Sequence, residues 1–359
     1  MKILELSLFN FRNYEEEHFL PKAGVNILLG ENAQGKTNLL EAIFLCCLGR
    51  SHRTPREREL IRYDQPLASV LLRCEKGDVT RSIRVSLSQE QRRRVFLDSL
   101  PVQNIGELMG QLNCVLFAPE HLSIVKQGPS ERRRFIDMEI SQTYPSYFYA
   151  LQQYAHILRQ RNNLLKAIAD DPSLLKTLSA WDEQMAKTAA FLIRQRRLFL
   201  EKLSELARRN HFEISGQKEG LLLRYEPNLE DEEPASILNA LESGRKRDLR
   251  LLSSQIGPHR DDFALILDGR DLRAFGSQGQ QRTAALALKL SELDLIYQET
   301  GEWPILMLDD VLSELDSARQ GFLLERVLPV QTFLTTALPV EKMQGAFLFL
   351  VENGHVQPG

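Results

Sequence analysis

A glycine-rich run between a short apolar segment and a helix-like segment constrains this chain most strongly. It matches GxxxxGK[ST] at every required position and consists of Gly30, Glu31, Asn32, Ala33, Gln34, Gly35, Lys36 and Thr37. The glycines let the backbone turn tightly, so that its amide groups point at phosphate oxygens. Lys36 would bring a positive charge to the β- and γ-phosphates, and the Thr37 hydroxyl can bind Mg²⁺. The run predicts a triphosphate-binding loop.

The surrounding pattern predicts an α/β fold. An apolar strand over residues 25–29 precedes the loop and a helix over residues 36–47 follows it, which is the context such a loop requires. Residues 1–129 read as mixed α/β. Residues 130–215 have helical periodicity and predict an inserted helical lobe without a long coiled coil, and residues 216–359 return to α/β character.

Two adjacent carboxylates form a second element. Asp309 and Asp310 follow an apolar strand over residues 305–308. Beside a phosphate-binding loop, Asp309 would hold magnesium and Asp310 would orient the attacking water. Without that loop, the same pattern describes a strand that ends at the solvent. We expect ATP and Mg²⁺ as the cofactors, with Lys36, Asp309 and Asp310 taking part in hydrolysis.

A second phosphate-binding element precedes a long helix predicted over residues 281–297. It contains Ser277, Gly279 and Gln280, and a glycine at a helix N-terminus exposes amide groups to an anion. One loop is enough for one triphosphate, so this element is best explained by use on the ATP of a second copy. The alternative is a simple helix cap by Ser277. Ser313 and Asp316 would cross the same interface, and a homodimer is therefore expected.

Composition limits the remaining possibilities. The net charge is −3, yet arginines cluster at 92–94, 132–134, 194–197 and 245–247; such clusters bind polyanions or form a solvated surface. Cys46, Cys47, Cys74 and Cys114 show no metal-binding spacing and predict buried free thiols. No apolar run approaches the ~20 residues of a membrane helix, and the N-terminus lacks a signal peptide pattern. We expect a cytoplasmic protein.

The order of these motifs resembles ABC-type ATPases of the SMC-like branch and, most closely, the RecF family of bacterial recombination and gap-repair proteins. The similar runs cover residues 8–14, 30–42, 257–262 and 308–316. The resemblance implies an ABC-type ATPase head with a mixed sheet. It also implies that Ser277 meets the γ-phosphate of the partner, that Ser313 and Asp316 form the D-loop, and that Arg12 and Asn38 lie at the nucleotide.

Three positions depart from the broader ABC pattern. The signature reads Ser-Gln-Gly-Gln rather than Ser-Gly-Gly-Gln, and the second carboxylate is Asp310 rather than the longer glutamate. Thr336 stands where transporters carry a switch histidine. No Q-loop glutamine is evident, with Glu120 the candidate in its place. These departures fit slow, switch-like hydrolysis.

The resemblance implies an ATP-dependent DNA-binding protein of gap repair and recombination. ATP would close a head-to-head dimer on duplex, gapped or junction DNA, slow DNA-stimulated hydrolysis would release it, and RecR and RecO would be partners in recombinase loading. Two alternatives stay open: an ABC-type ATPase that serves a membrane partner, and a scaffold that ATP stabilises without hydrolysis.

Overall fold

The computed structural model describes residues 1–338 and 345–359. Its residues form two compact units. The first contains Met1–His121 and Lys289–Gly359, and the second contains Leu122–Leu288. Within the described ranges, no helix combines the length and apolar character needed to cross a membrane.

The strands and helices have the following bounds. The strands are β1 (Lys2–Phe11), β2 (Tyr14–Phe19), β3 (Val25–Leu29), β4 (Leu67–Lys76), β5 (Val79–Ser88), β6 (Arg94–Leu97), β7 (Leu100–Pro101), β8 (Cys114–Phe117), β9 (Leu221–Glu226), β10 (Asp262–Leu267), β11 (Arg270–Asp271), β12 (Ile305–Asp309), β13 (Thr332–Thr336), β14 (Phe347–Glu352) and β15 (His355–Pro358). The helices are α1 (Lys36–Leu48), α2 (Ser123–Lys126), α3 (Pro129–Thr143), α4 (Pro145–Asp170), α5 (Leu178–Ile214), α6 (Pro234–Leu251), α7 (Leu272–Phe275), α8 (Gln278–Thr300) and α9 (Ser317–Arg326).

The first unit contains two sheets. One is antiparallel in the order β2-β1-β4-β5-β6-β7. The other has the order β15-β14-β3-β13-β12-β8, in which β14, β3, β13, β12 and β8 run parallel and β15 is an antiparallel edge strand. Every residue of β12 is buried, as expected for a parallel strand covered on both faces. The mixed sheet predicted for the ATPase head is confirmed.

Helix α1 contacts strands of both sheets. Its residues from Leu39 to Leu48 are buried on every side, and apart from Glu41 they are apolar rather than amphipathic. The four cysteines are buried free thiols, as predicted. The phosphate-binding loop runs directly from β3 into α1, which places it at the carboxyl edge of the parallel sheet.

The second unit is longer than the helical lobe predicted over residues 130–215. Helices α4, α5 and α6 pack together, and the sheet β11-β10-β9 packs on α5 through β9. Segments beyond residue 215 therefore belong to the same compact unit, because they supply the surface that covers α5. This helix has 37 residues and folds against its neighbours rather than extending as a coiled coil.

The run of residues 257–262 lies at the centre of a buried ionic network in the second unit. The Asp261 carboxylate accepts hydrogen bonds from Arg196 at 2.9 Å and from the Tyr225 hydroxyl at 2.5 Å. Asp262 accepts two bonds from Arg132, both at 2.7 Å. Arg196 and Asp261 are almost fully buried. The run thus joins α3 and α5 to the start of β10.

Candidate nucleotide site

Backbone geometry explains the glycines of the phosphate-binding loop. Gly35 has a φ of +118°, and a Cβ atom there would lie 2.7 Å from the side chain of Asn13. A Cβ atom on Gly30 would lie 2.2 Å from the carbonyl oxygen of Val351. Both positions therefore exclude a larger residue. A loop of this kind at the N-terminus of a helix can offer its amide groups to a phosphate.

The Lys36 ammonium forms hydrogen bonds with the backbone of its own loop. Its Nζ donates to the carbonyl oxygens of Gly30 at 2.5 Å and Glu31 at 2.7 Å. Burial lowers the pKa of Lys36, while the charges of Asp310 and Asp309 act in the opposite direction. Phosphate oxygens placed in the loop would compete with the two carbonyls for this ammonium.

Thr37, in the first turn of α1, meets Asp309 at the end of β12. The Thr37 hydroxyl donates to Asp309 Oδ1 at 2.9 Å, and the Thr335 hydroxyl donates to the same oxygen at 2.7 Å. Hydroxyl and carboxylate oxygens are the ligands that Mg²⁺ prefers, so the residues present fit the ion expected here. Thr37 and Asp309 would hold this ion, which would supply positive charge to neutralise the phosphates.

Asp310 follows β12 in the left-handed region, with a φ of 50°. Its amide donates to Thr335 Oγ1 at 2.9 Å, and its carbonyl oxygen accepts from the Ser313 hydroxyl at 2.7 Å. The Asp310 side chain is exposed, whereas Asp309 is buried. Thr335 thus forms hydrogen bonds with the Asp309 carboxylate and with the Asp310 backbone amide. Its sequence context, an apolar strand, gave no sign of this role.

Arg12 lies against helix α1. Its guanidinium donates to both oxygens of the buried Glu41, each at 2.8 Å, and to the Glu59 carbonyl oxygen at 2.8 Å. Ser51 donates to Glu41 at 2.5 Å. Burial raises the pKa of Glu41, but the hydrogen bonds from Arg12 and Ser51 and the nearby arginine charges outweigh it and lower the pKa. The structure therefore places Arg12 beside the phosphate-binding helix.

Asn38 connects this cluster to the loop. Its Nδ2 donates to Asn13 Oδ1 at 2.7 Å, and its Oδ1 accepts from Arg53 at 2.8 Å. Arg53 also lies 3.6 Å from the Glu41 carboxylate. The sequence did not indicate the roles of Glu41 and Ser51 or the pairing of Arg53 with Glu41, because this pairing depends on the path of the segment that follows α1.

Ser277 caps helix α8 in the second unit. Its hydroxyl accepts from the Gln280 amide at 3.2 Å, and the Gln280 side chain accepts from the Ser277 amide at 2.9 Å. This reciprocal pair is a capping box. Ser277 and Gly279 are exposed, and no described residue lies within 4 Å of a Cβ built on Gly279. The cap interpretation is confirmed, and contact with the nucleotide of another copy stays a prediction.

The remaining predicted residues have local partners. Asp316 caps helix α9 by accepting from the Arg319 amide at 2.9 Å; this hydrogen bond is the main reason that the pKa of Asp316 is lowered. The Thr336 hydroxyl donates to the Leu338 carbonyl oxygen at 2.9 Å. The Thr336 carbonyl oxygen accepts from the Gly30 amide at 3.3 Å. Glu120 is exposed in a short 3₁₀ helix.

Comparison with known proteins places the chain in a family. The family model described as the RecF/RecN/SMC N terminal domain matches residues 2–346. The DNA replication and repair protein RecF of Acetivibrio thermocellus is 44% identical over 342 residues, covering 93% of each chain. RecF of Alkaliphilus oremlandii is 44% identical over 367 residues, covering 99% of this chain and 100% of its own.

Solved structures agree with this assignment. A structure of the recombination mediator protein RecF with ATP, described as part of the RecFOR pathway, has a TM-score of 0.94 at 36% identity and covers 99% of this chain and 97% of its own. An Smc head bound to the C-winged helix domain of ScpA has a TM-score of 0.58 at 16% identity, with 99% and 96% covered, and shows the shared fold alone. The chain belongs to the RecF family and has the ABC-type ATPase head fold of the SMC-like proteins.

Proposed function

We propose that this protein is a slow ATPase that binds DNA in gap repair and recombination. The observation that carries the proposal is the convergence of Thr37, Asp309 and Thr335 beside the phosphate-binding loop, with oxygen atoms 2.7 and 2.9 Å apart. These residues come from three separate elements. A similar protein with ATP in its description has nearly the same fold, which supports ATP as the nucleotide.

The positions of the side chains support the following catalytic roles. Lys36 would stabilise charge on the β- and γ-phosphates, and Thr37 and Asp309 would hold Mg²⁺. Asp310 would orient the attacking water from its exposed position after β12. Its side chain is shorter than that of a glutamate, so we expect a low rate of ATP hydrolysis that acts as a switch.

A second copy would complete the site through the start of α8. The capping box leaves the helix N-terminus exposed at Ser277 and Gly279, where amide dipoles favour a phosphate. We propose that two copies close on ATP, each bringing Ser277, Gly279 and Gln280 to the γ-phosphate of the other. Ser313 and Asp316 would contribute to the same interface as the D-loop.

The test is the rate of ATP hydrolysis as a function of protein concentration, with and without duplex DNA. We expect a rate that rises faster than linearly and that DNA increases. Ser277→Asp and Ser277→Asn form a matched pair, because both residues retain a helix cap and only Asp places a negative charge before the partner's phosphate. The Ser277→Asp variant should not hydrolyse ATP, although its melting temperature should equal that of the wild type. A linear rate that is indifferent to DNA and to both substitutions would refute the shared site.

DNA contact is expected on the first unit, because many arginines of the second are already paired. Arg132 is bound to Asp262, and Arg245 is bound to Asp182 at 2.8 Å. In the first unit, Arg93 lies between β5 and β6 and forms an ion pair with Glu57, which lies in the segment after α1; the two groups are 2.9 Å apart. This ion pair brings the two segments together. The exposed arginines on these two adjacent segments are Arg50, Arg53, Arg56, Arg58, Arg92 and Arg94.

Salt dependence of DNA binding tests this surface. Removing an arginine that binds one phosphate should lower the slope of log K against log salt by about 1. We expect this for Arg58→Ala and Arg92→Ala, and no change for Arg224→Ala, an exposed arginine of the second unit that pairs with Glu226. An affinity that is insensitive to salt would contradict binding through phosphates.

We also propose RecR and RecO as partners in recombinase loading at gaps, since a structure of a similar protein is described as part of the RecFOR pathway. The relatives are named DNA replication and repair proteins, which favours this function over an ATPase that serves a membrane partner. Mixing the purified protein with RecR and RecO on gapped DNA, and measuring complex formation with and without ATP, tests this assignment.

A further inference from the structure

The turn of the C-terminal hairpin β14–β15 touches the phosphate-binding loop of the first unit. The Asn353 amide donates to Gln34 Oε1 at 2.7 Å, and the Gly354 amide donates to the Gln34 carbonyl oxygen at 3.4 Å. Gln34 occupies one of the unspecified positions of the loop motif. Its side chain and its backbone are both bound to a turn 319 residues away in the sequence.

A second segment holds the same part of the loop. Asn13, in the turn between β1 and β2, donates from Nδ2 to the Gln34 carbonyl oxygen at 2.9 Å. The Tyr14 hydroxyl donates to the Gly35 carbonyl oxygen at 3.0 Å. Two turns from different sheets therefore hold the peptide groups that immediately precede Lys36.

The hairpin turn packs too closely on this segment to admit a larger residue. A Cβ atom on Gly354 would lie 2.9 Å from the Asn13 carbonyl oxygen. Asn353 and Gly354 have φ values of 51° and 75°, the left-handed pair that Asn-Gly favours in a two-residue hairpin turn. At the other end of the loop, Gly30 packs against the backbone of Val351 in β14. The hairpin thus contacts both ends of the loop.

We propose that the C-terminal hairpin turn is a positioning element of the nucleotide site, with Gln34 and Gly354 as positioning residues. The loop binds phosphate through its backbone, so its affinity depends on where its peptide groups are held. Geometry within about 0.5 Å matters for such a site. The Gln34 side chain would orient the loop through its hydrogen bond from the Asn353 amide. The inference rests on the proposed ATP site, and its Kd measurement requires neither dimer formation nor DNA.

The test compares Gly354→Ala with Gly301→Ala. Both glycines have a φ of +75° and belong to the first unit, but no described residue lies within 4 Å of a Cβ on Gly301. The backbone penalty of alanine is therefore matched. We measure the Kd of a fluorescent ATP analogue with Mg²⁺, the KM and kcat for ATP, and the unfolding transition, all in the full chain.

We expect Gly354→Ala to raise Kd and KM about tenfold, with kcat at saturating ATP within about twofold of wild type. Gly301→Ala should change Kd and KM less than about twofold. Both unfolding transitions should fall, that of Gly354→Ala further because its Cβ meets the Asn13 carbonyl oxygen. Equal Kd values for the two folded variants would overturn the inference.

Gln34→Met provides a second variant that does not disturb the backbone. Methionine has a similar length but no oxygen acceptor for the Asn353 amide, so we expect a rise in Kd of about three- to tenfold, as for the loss of one hydrogen bond. If Gly354→Ala does not fold, this variant decides: an unchanged Kd refutes the inference. A wild-type protein that fails to bind the analogue would instead refute the proposed nucleotide site.

Discussion

The Thr335 hydroxyl donates a hydrogen bond to the Asp309 carboxylate across the parallel strands β12 and β13, with the oxygens 2.7 Å apart. The same hydroxyl oxygen accepts from the amide of Asp310 at 2.9 Å. One buried side chain therefore orients the residue expected to hold magnesium and fixes the backbone of the residue expected to orient water.

Replacing Thr335 by Val should impair hydrolysis while preserving the fold. Valine fills nearly the same volume but removes the donor to Asp309 and the acceptor for the Asp310 amide. We expect kcat to fall at least about tenfold, the effect of misplacing a catalytic group, with a smaller change in ATP affinity. Thr335→Ser retains the hydroxyl and should keep most of the activity. Equal rates in the Val and Ser variants would refute the orienting role.

Asp310→Asn separates hydrolysis from ATP binding. The left-handed φ of 50° suits asparagine as well as aspartate, so the substitution adds no backbone strain and removes only the charge. We expect ATP binding within about twofold of wild type and hydrolysis reduced by at least about a hundredfold, the contribution typical of a general base. Single-turnover hydrolysis and nucleotide titration measure the two effects.

Retained hydrolysis in Asp310→Asn would argue that Asp310 is not the base. Loss of hydrolysis with DNA binding and partner loading intact would support the ATP-stabilised scaffold.

The sequence was sufficient to predict the edge of the sheet where the site forms. A strand leading into the phosphate-binding loop and a strand ending in Asp309 must bring their carboxyl ends together in a parallel sheet, and the structure has this arrangement. Thr335 lies on the strand between them. Its position could be predicted only from the strand order, which local periodicity does not determine.

The arginine clusters were harder to interpret from sequence. Arg132 belongs to a run of three basic residues that looks like a surface patch, yet its side chain is buried against Asp262. Such pairing joins residues more than a hundred positions apart and leaves no local pattern. The same holds for residues 257–262, whose structural role in the second unit appears only when α3, α5 and β10 are packed together.

Asp261→Asn should destabilise the second unit. The carboxylate is fully buried and receives hydrogen bonds from Arg196, Tyr225 and the Asn228 amide. Removing its charge leaves the buried Arg196 with less compensation, and we expect a loss of about 3 kcal/mol in the free energy of unfolding. Denaturant titration measures it. Asp170→Asn, at an exposed position, should change it by less than about 0.5 kcal/mol. Similar values for both variants would contradict the structural role of the network.

Glu41→Gln should change both stability and its dependence on pH. Glu41 is fully buried and faces Arg12 and Arg53. At pH 7 we expect a loss of about 2 kcal/mol in the free energy of unfolding, less than for a fully buried pair because both arginines reach solvent.

Burial alone would raise the pKa of Glu41, but the hydrogen bonds and arginine charges lower it below the ordinary 4.5. A folded-state pKa below the unfolded value gives stability that is complete above the unfolded pKa and is lost as pH falls through the folded pKa. The wild type should therefore lose its advantage over Glu41→Gln as pH falls below about 4.5. Urea titrations across this range measure it, with the exposed Glu16→Gln as control. A stability difference that stays constant down to pH 3 would show that ionised Glu41 is not the stabilising species.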